Sequence, residues 1–284
     1  MKLNLYIHYP INLYNFVENS SGWHPFTQKV KIKFNEKQKK LLYIYSKIRK
    51  KYRDCKWFED SFTKNNLNES LKTLSKKIKS RDILILRGIF YSFDKLYRRL
   101  WKIERQKLKK IKCTIEDAWK EFDKNNIRKI ADVMDVNIFK KINVYLSYSK
   151  NAPRGSLFGT SGILLEVTDL ENPRFFICII IHEIVHFLDW FQGKNSYEMI
   201  LKRRKIGKKK AIIIHEALVQ TISSHFLKNY FDFELEGKTK WERDILRIKK
   251  KIKPLFNKFL CEKENLKLNF WKDFLPLVFK SLKV

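Results

Sequence analysis

Apolar and polar positions alternate from Lys2 to Tyr9 (KLNLYIHY), which predicts a strand, and Pro10 followed by INLYNFVENS predicts a short helix. From about Asn35 to Lys110 the period lengthens to three and four residues, as in EKQKKLLYIYSKIRKKYR and RDILILRGIFYSFDKLYRRLWKIERQKLKK. These segments predict amphipathic helices with basic outer faces. Thr114 ahead of IEDAWKEFDK offers an N-cap and an acidic first turn, so a new helix is expected to start there. Near Ile142 the character changes to INVYLSYS and LFGTSGILLEVTD, β-branched and aromatic, separated by the turn sequence KNAPRGS. That pattern predicts a β-hairpin or two strands of one sheet. After Asn172-Pro173 comes a long apolar helix at 174–192, RFFICIIIHEIVHFLDWFQ, ended by Gly193. A short helix (SYEMILKRRK), a basic loop through Gly207 and a second apolar helix at 210–228 (AIIIHEALVQTISSHFL) follow. Two amphipathic helices, at about 240–260 and 264–282, complete the pattern, and no repeat of fixed period is visible.

Composition narrows the class. The 284 residues are 44% hydrophobic and 14% aromatic, enough apolar material for a sizeable core, which excludes a disordered or collagen-like chain. The formal charge is +31, and it is uneven: residues 1–110 carry +19, residues 111–200 carry −1 and residues 201–284 carry +13. A neutral, apolar middle is thus flanked by two basic arms, and function is sought in the middle. No run of apolar residues is long enough to cross a bilayer, and the N-terminus lacks the apolar core and small-residue cleavage site of a signal peptide. A soluble, cytoplasmic protein without a transmembrane segment is expected. Cys55, Cys113, Cys178 and Cys261 are far apart with no CxxC pair, so buried free thiols are predicted rather than disulfides or a thiolate metal site.

The middle contains His182-Glu183-Ile184-Val185-His186, an HExxH motif. On a helix the two histidines lie about 40° apart on one face, with Glu183 at about 100° and Asp189 back beside His182. The remaining positions are Ile, Val, Phe and Leu, so this polar stripe is buried, and buried ionisable groups need a partner charge, hydrogen bonds or a metal. Two imidazoles leave a catalytic zinc one protein ligand short. The next candidate is Glu216 in AIIIHEALVQ, which shares a polar stripe with Gln220 and Ser223 on the second apolar helix. His215 is the rival ligand but points about 100° from Glu216. Cys178, one turn before His182, is a conceivable thiolate ligand and more simply a buried structural cysteine. Nothing ties His8 or His24 to a metal.

These residues resemble the gluzincin group of zinc metallopeptidases, in which HExxH stands on one helix and a glutamate ligand on a later one, often in an EGLAE-like sequence. Here Glu216-Ala217-Leu218-Val219-Gln220 is similar, with Ala in place of Gly and Gln closing the run. The resemblance covers roughly residues 142–228, because zincins also place an exposed edge strand before the active-site helix, where LFGTSGILLEV stands. The metzincin pattern fails, since positions 189 and 192 hold Asp189 and Gln192 instead of Gly and His. The resemblance implies a predominantly helical α+β zincin-like metallopeptidase, a single domain over 1–284. It would comprise a strand and basic helical part at 1–140, a metal-binding core at 141–230 and a C-terminal helical part at 231–284. It further implies one zinc ion held by His182, His186 and Glu216, Glu183 as general base, and a peptide or protein substrate. Asp189 and Gln220 are candidates to orient the imidazoles, and His225, His215 and Tyr197 are candidates to stabilise the oxyanion.

The run Lys202 to Lys210 puts seven cations in nine residues between the two ligand helices. Such a patch attracts acidic peptides, nucleic acid or an anionic membrane surface. The plainer reading is a solvated lysine-rich surface. Aromatics interleaved with cations, as in KKYRDCKWFED, fit single-strand stacking but fit the core of an amphipathic helix better. A basic nucleic-acid-associated or regulatory protein that uses the metal for structure alone is the alternative class.

Overall fold

The N-terminal alternation becomes strand β1 (Lys2–Tyr6), and the chain turns at once into helix α1 (Tyr9–Ser21), with Pro10 in its first turn and Gly22 at φ +58° closing it. The computed structural model describes residues 1–23, 32–53, 55–160, 162–169, 172–191, 196–202, 206–230 and 239–283. It is mostly helical, with one small mixed sheet. The chain groups into two units, residues 2–117 with 141–176 and residues 118–140 with 177–284.

The first unit holds the sheet. Strands β2 (Lys141–Tyr148), β3 (Arg154–Phe158) and β4 (Gly162–Val167) join β1 in the order β1-β2-β4-β3. β1, β2 and β4 are parallel and β3 is antiparallel to β4. Of the two expectations, strands of one sheet holds and a hairpin across KNAPRGS does not: that turn joins β2 to β3, which are not neighbours, and the hairpin lies inside the second segment. Its turn uses Gly159 at φ +60°, where a Cβ would sit 1.9 Å from Asp60 Oδ1. Glu59 and Asp60 accept the N–H groups of Gly159 and Thr160 at 2.8 and 2.9 Å. The expectation that LFGTSGILLEV is an exposed edge strand is corrected: only Leu157 and Phe158 of it lie in the edge strand β3, and that strand is half-buried. β4 is buried along its whole length, which is why GILLEV reads as a nearly continuous apolar run.

Helices α2 (Glu36–Lys51), α3 (Lys56–Asp60), α4 (Leu67–Ser75) and α5 (Ser80–Glu121) supply the core of this unit. Asn35 and Gln38 form a capping box on α2, and Asn66 caps α4. The helix start expected at Thr114 does not occur. α5 runs through it, because Leu108 and Ile115 keep the buried period, and the Thr114 hydroxyl donates back to the Ile111 carbonyl. At the centre lies Arg49, only 1% exposed, with Nε 2.9 Å from Glu18 and Nη2 3.0 Å from Glu59. Its guanidinium stacks over Trp23 and Phe58, and Nη2 also donates to the Tyr14 hydroxyl at 3.2 Å. Burial pushes the Glu18 and Glu59 carboxyls up, and Arg49 pulls both down.

The second unit is helical: α6 (Asn125–Val133), α7 (Pro173–Phe191) from Ile177 onward, α8 (Ser196–Lys202), α9 (Lys208–Leu227), α10 (Lys240–Leu266) and α11 (Leu275–Ser281). α10 packs against α9 and runs six residues past its expected end to a left-handed turn at Lys267. A π-helical turn at Phe270–Phe274 then leads into α11. Asp135 ties that corner by accepting the Phe270 N–H and the Lys263 ammonium, both at 2.6 Å. The prediction of buried thiols is corrected: Cys178 is buried, but Cys113 and Cys261 are exposed and Cys55 is intermediate. Gly193, the expected end of the long apolar helix, lies outside the described residues, as do His24 and residues 203–205 of the basic run. Among the described residues no helix is long and apolar enough to cross a membrane.

Removing Arg49 takes the guanidinium partner from the buried Glu18 and the half-buried Glu59. Arg49→Ala is expected to lower unfolding free energy by about 3–5 kcal/mol, measured by urea titration. Lys39→Ala, which breaks the exposed pair with Glu36, should leave the urea midpoint in place.

Candidate metal centre

α7 is apolar on every side except one stripe, and Ile180, Ile181, Ile184, Val185 and Leu188 are fully buried around it. Burying that helix carries its ionisable residues inward as well: Glu183, His186 and Asp189 are all buried. α9 does the same for His215 and Gln220. The two helices bring His182, His186 and Glu216 together, with one donor atom from each within 4.8 Å of the others. His182 Nε2 stands 3.1 Å from His186 Nε2 and 3.5 Å from Glu216 Oε2. His186 Nε2 is 3.4 Å from Glu216 Oε1.

These separations test whether the group fits a metal. Nitrogen or oxygen donors about 2.0–2.1 Å from a tetrahedral ion lie about 3.3 Å from one another; the two Nε2 atoms, at 3.1 Å, are close to that value, and each imidazole meets a different Glu216 oxygen at 3.4–3.5 Å. The three residues can hold a metal ion. The side chains of His182 and Glu216 are 15% and 26% exposed while His186 is 9% exposed, so the group is open to solvent on one side.

The electrostatics of the protein part agree with a cation site. Burial pushes the His186 imidazolium down, but the Glu216 carboxylate, joined by Glu183 and Asp189, outweighs it and raises the pKa to about 9. Burial pushes Glu216 up, yet His186 and His182 hold it well below the usual carboxylate range. A carboxylate is thus kept ionised against two imidazoles in a largely desolvated setting, which is what a divalent ion requires of its ligands.

The remaining candidates separate clearly. Glu183 is buried on α7 and lies outside the ligand trio, close enough to His186 to act on it electrostatically. Asp189 pairs with neither ligand imidazole but with His215, whose Nε2 is 3.1 Å from Asp189 Oδ2. Asp189 also accepts the Ser196 N–H and hydroxyl, the latter at 2.9 Å, and so fixes the start of α8. The His215 ring in turn meets the His186 ring edge-on at 4.9 Å between centroids, and Tyr197 lies 6.0 Å from His215. Gln220 is buried one turn beyond Glu216. His225 is exposed and packs on Phe226 and Phe256 instead of joining the cluster. Cys178 is buried and its thiol is pushed up to about 12 by burial, so it stays protonated and outside the ligand group. His182 Nδ1 is buried without a hydrogen-bond partner among the described residues, so packing orients this ring, not the outer acceptor usual for metal-bound histidines.

Sequence reasoning missed the Asp189–His215–Ser196 chain. The available signal was that Asp189 and His215 are both ionisable residues on apolar helices and each needs a partner. Compared with known proteins, the chain matches no family model, no curated protein and no solved structure.

Two outcomes follow from the geometry. Glu216→Ala is expected to weaken metal binding by at least about 100-fold in competition with a chromophoric chelator, and His215→Ala by no more than about tenfold. In the metal-stripped protein, His186 has a higher pKa folded than unfolded, so its stabilising contribution is complete below pH 6.5 and is lost as pH rises toward about 9. Melting temperature should therefore fall across that window in stripped wild type, and the fall should vanish in His186→Asn.

Proposed function

We propose that the protein is a zinc-dependent metallopeptidase of gluzincin type, a zincin-like fold that hydrolyses peptide bonds in a peptide or protein substrate. The observation that carries this reading is the convergence of His182, His186 and Glu216, with one donor atom from each within 4.8 Å of the others and Glu183 buried on the same helix as the two histidines. Two imidazoles and one carboxylate suit zinc, whereas calcium and magnesium take shells of oxygen donors.

When bound there, zinc supplies a Lewis acid that polarises a carbonyl and makes water acidic enough to give up a proton near neutral pH. The protein's own part is proton handling and alignment. Glu183 is the general base that takes the proton from the attacking water and returns it to the leaving amine. Asp189 holds His215, and His215 holds the His186 ring edge-on, so the dyad is a positioning device for one ligand. The open side at Glu216 and His182 is where an extended peptide reaches the cluster.

Wild type and Glu183→Gln, compared for bound zinc and for cleavage of a broad peptide library, test this. Both should bind zinc equally, and the variant should lose at least about 100-fold in turnover. Wild type that cleaves nothing while loaded with zinc ends the proposal. A second reading is favoured by the charge of +31: a basic nucleic-acid-associated or regulatory protein that uses the metal for structure. It prevails if the loaded protein cleaves no peptide and binds nucleic acid with steep salt dependence.

A further inference from the structure

The outer face of α5 is a row of cations. Between Lys95 and Lys110 every exposed residue is a lysine or arginine except Ile103 and Gln106, and none is acidic. The acid within that stretch, Glu104, is turned inward and accepts the Tyr97 hydroxyl at 2.8 Å, while Asp94 just ahead of it is buried and takes Arg98 at 2.8 Å. Lys95, Arg99, Lys102, Arg105 and Lys109 make no ion pair among the described residues. At about 100° and 1.5 Å per residue, these five fall within an arc of about 120° and along about 21 Å of one helix.

Left to itself, this row opposes the helix that bears it. Like charges three and four residues apart on one helix face repel, and this face carries them with no carboxylate between. The opposite side, with Phe93, Tyr97 and Leu108, is buried and holds the helix in place. A partner of dense, regularly repeated negative charge relieves the repulsion without disturbing that packing.

The shape and chemistry of the row select the partner. Duplex DNA carries one negative charge per about 1.7 Å of its axis, so about 21 Å of cations faces roughly a dozen phosphates. Arginine forks, present here at Arg99 and Arg105, bind phosphate oxygens in pairs. A helix that inserts into a membrane surface needs an exposed apolar side, and between Lys95 and Lys110 α5 exposes only Ile103. A single strand needs stacking aromatics, but Tyr97 is buried and the Trp101 ring meets Tyr9 edge-on at 5.4 Å. Duplex RNA is recognised largely through its 2′-hydroxyls, for which this face offers Gln106 alone. We propose that the 95–110 face of α5 docks on the phosphate backbone of double-stranded DNA without reading base sequence. These residues all belong to the sheet-bearing unit, and the docking does not depend on what the metal centre does.

The test uses the full chain and fluorescence anisotropy with a labelled DNA duplex of about 24 base pairs, titrated at several salt concentrations between about 50 and 300 mM. A variant combining Lys95→Gln, Arg99→Gln, Lys102→Gln, Arg105→Gln and Lys109→Gln is compared with a control of equal net charge. The control combines Lys37→Gln, Lys40→Gln, Lys50→Gln, Lys250→Gln and Lys251→Gln, all exposed elsewhere. Wild type should bind with Kd of about 50 μM or tighter at about 100 mM salt. The α5 variant should lose at least about tenfold more affinity than the control, with its slope of log K against log salt reduced by about 3–5. Melting curves establish that each variant is folded, and the pair Lys102→Glu with Lys109→Glu replaces the α5 variant if that one is not. The proposal is overturned if wild type binds the duplex more weakly than about 50 μM, or if the α5 variant weakens no more than the control. It is also overturned if duplex RNA, single-stranded DNA, poly-glutamate or phosphatidylserine vesicles bind more tightly than the DNA duplex.

Discussion

Carrying ionisable groups into an apolar interior is the constraint on which the helical unit depends. α7 cannot bury its isoleucines, Val185 and Leu188 without also burying Glu183, His186 and Asp189, and desolvated charge is tolerated only with partners. The neighbouring helices provide them. α9 brings Glu216 to the two imidazoles and His215 to Asp189, and α8 begins where Asp189 receives the Ser196 N–H. Much of the packing of α7, α8 and α9 is therefore the answer to one electrostatic problem.

The two units answer that problem in different ways, and the contrast bears on function. Around Arg49 the guanidinium faces the carboxylates of Glu18 and Glu59, its donors are engaged, and Trp23 and Phe58 cover its faces. Such a saturated network has nothing to offer a ligand and serves the register of α1, α2 and α3. In the α7–α9 cluster three ligand-type atoms lie within 4.8 Å of one another, and the Glu216 carboxylate raises the pKa of the His186 imidazole. A proton and a metal ion compete for the same lone pairs, so the arrangement is poised for exchange where the Arg49 network is closed.

How much of this was readable in advance depended on the range of the interaction. The histidine pair at 182 and 186 and the apolar helices around positions 183 and 216 follow from helical spacing. The sheet was only half legible. β-branched runs marked the strands, but the pairing of β2 with β4 in preference to β3 depends on which faces are covered, and GILLEV is apolar because it is interior. Thr114 was misleading for the opposite reason: a good capping residue is overridden when buried Leu108 and Ile115 continue the helix through it. The exposed Cys113 and Cys261 show that cysteine's general preference for burial does not decide individual positions.

By itself the sequence determined the periodicities, the strongly basic character and the presence of two apolar helices with ionisable stripes, since each is set by neighbours within one or two turns. Only the tertiary structure decided that Asp189 belongs to His215 and not to a ligand imidazole. It also placed three asparagines of α1 over the ends of β2 and β4, and matched Arg49 with Glu18 and Glu59. Those partners are distant in the chain or lie on different elements, and a residue's local pattern records that it needs a partner without recording which one the packing will supply.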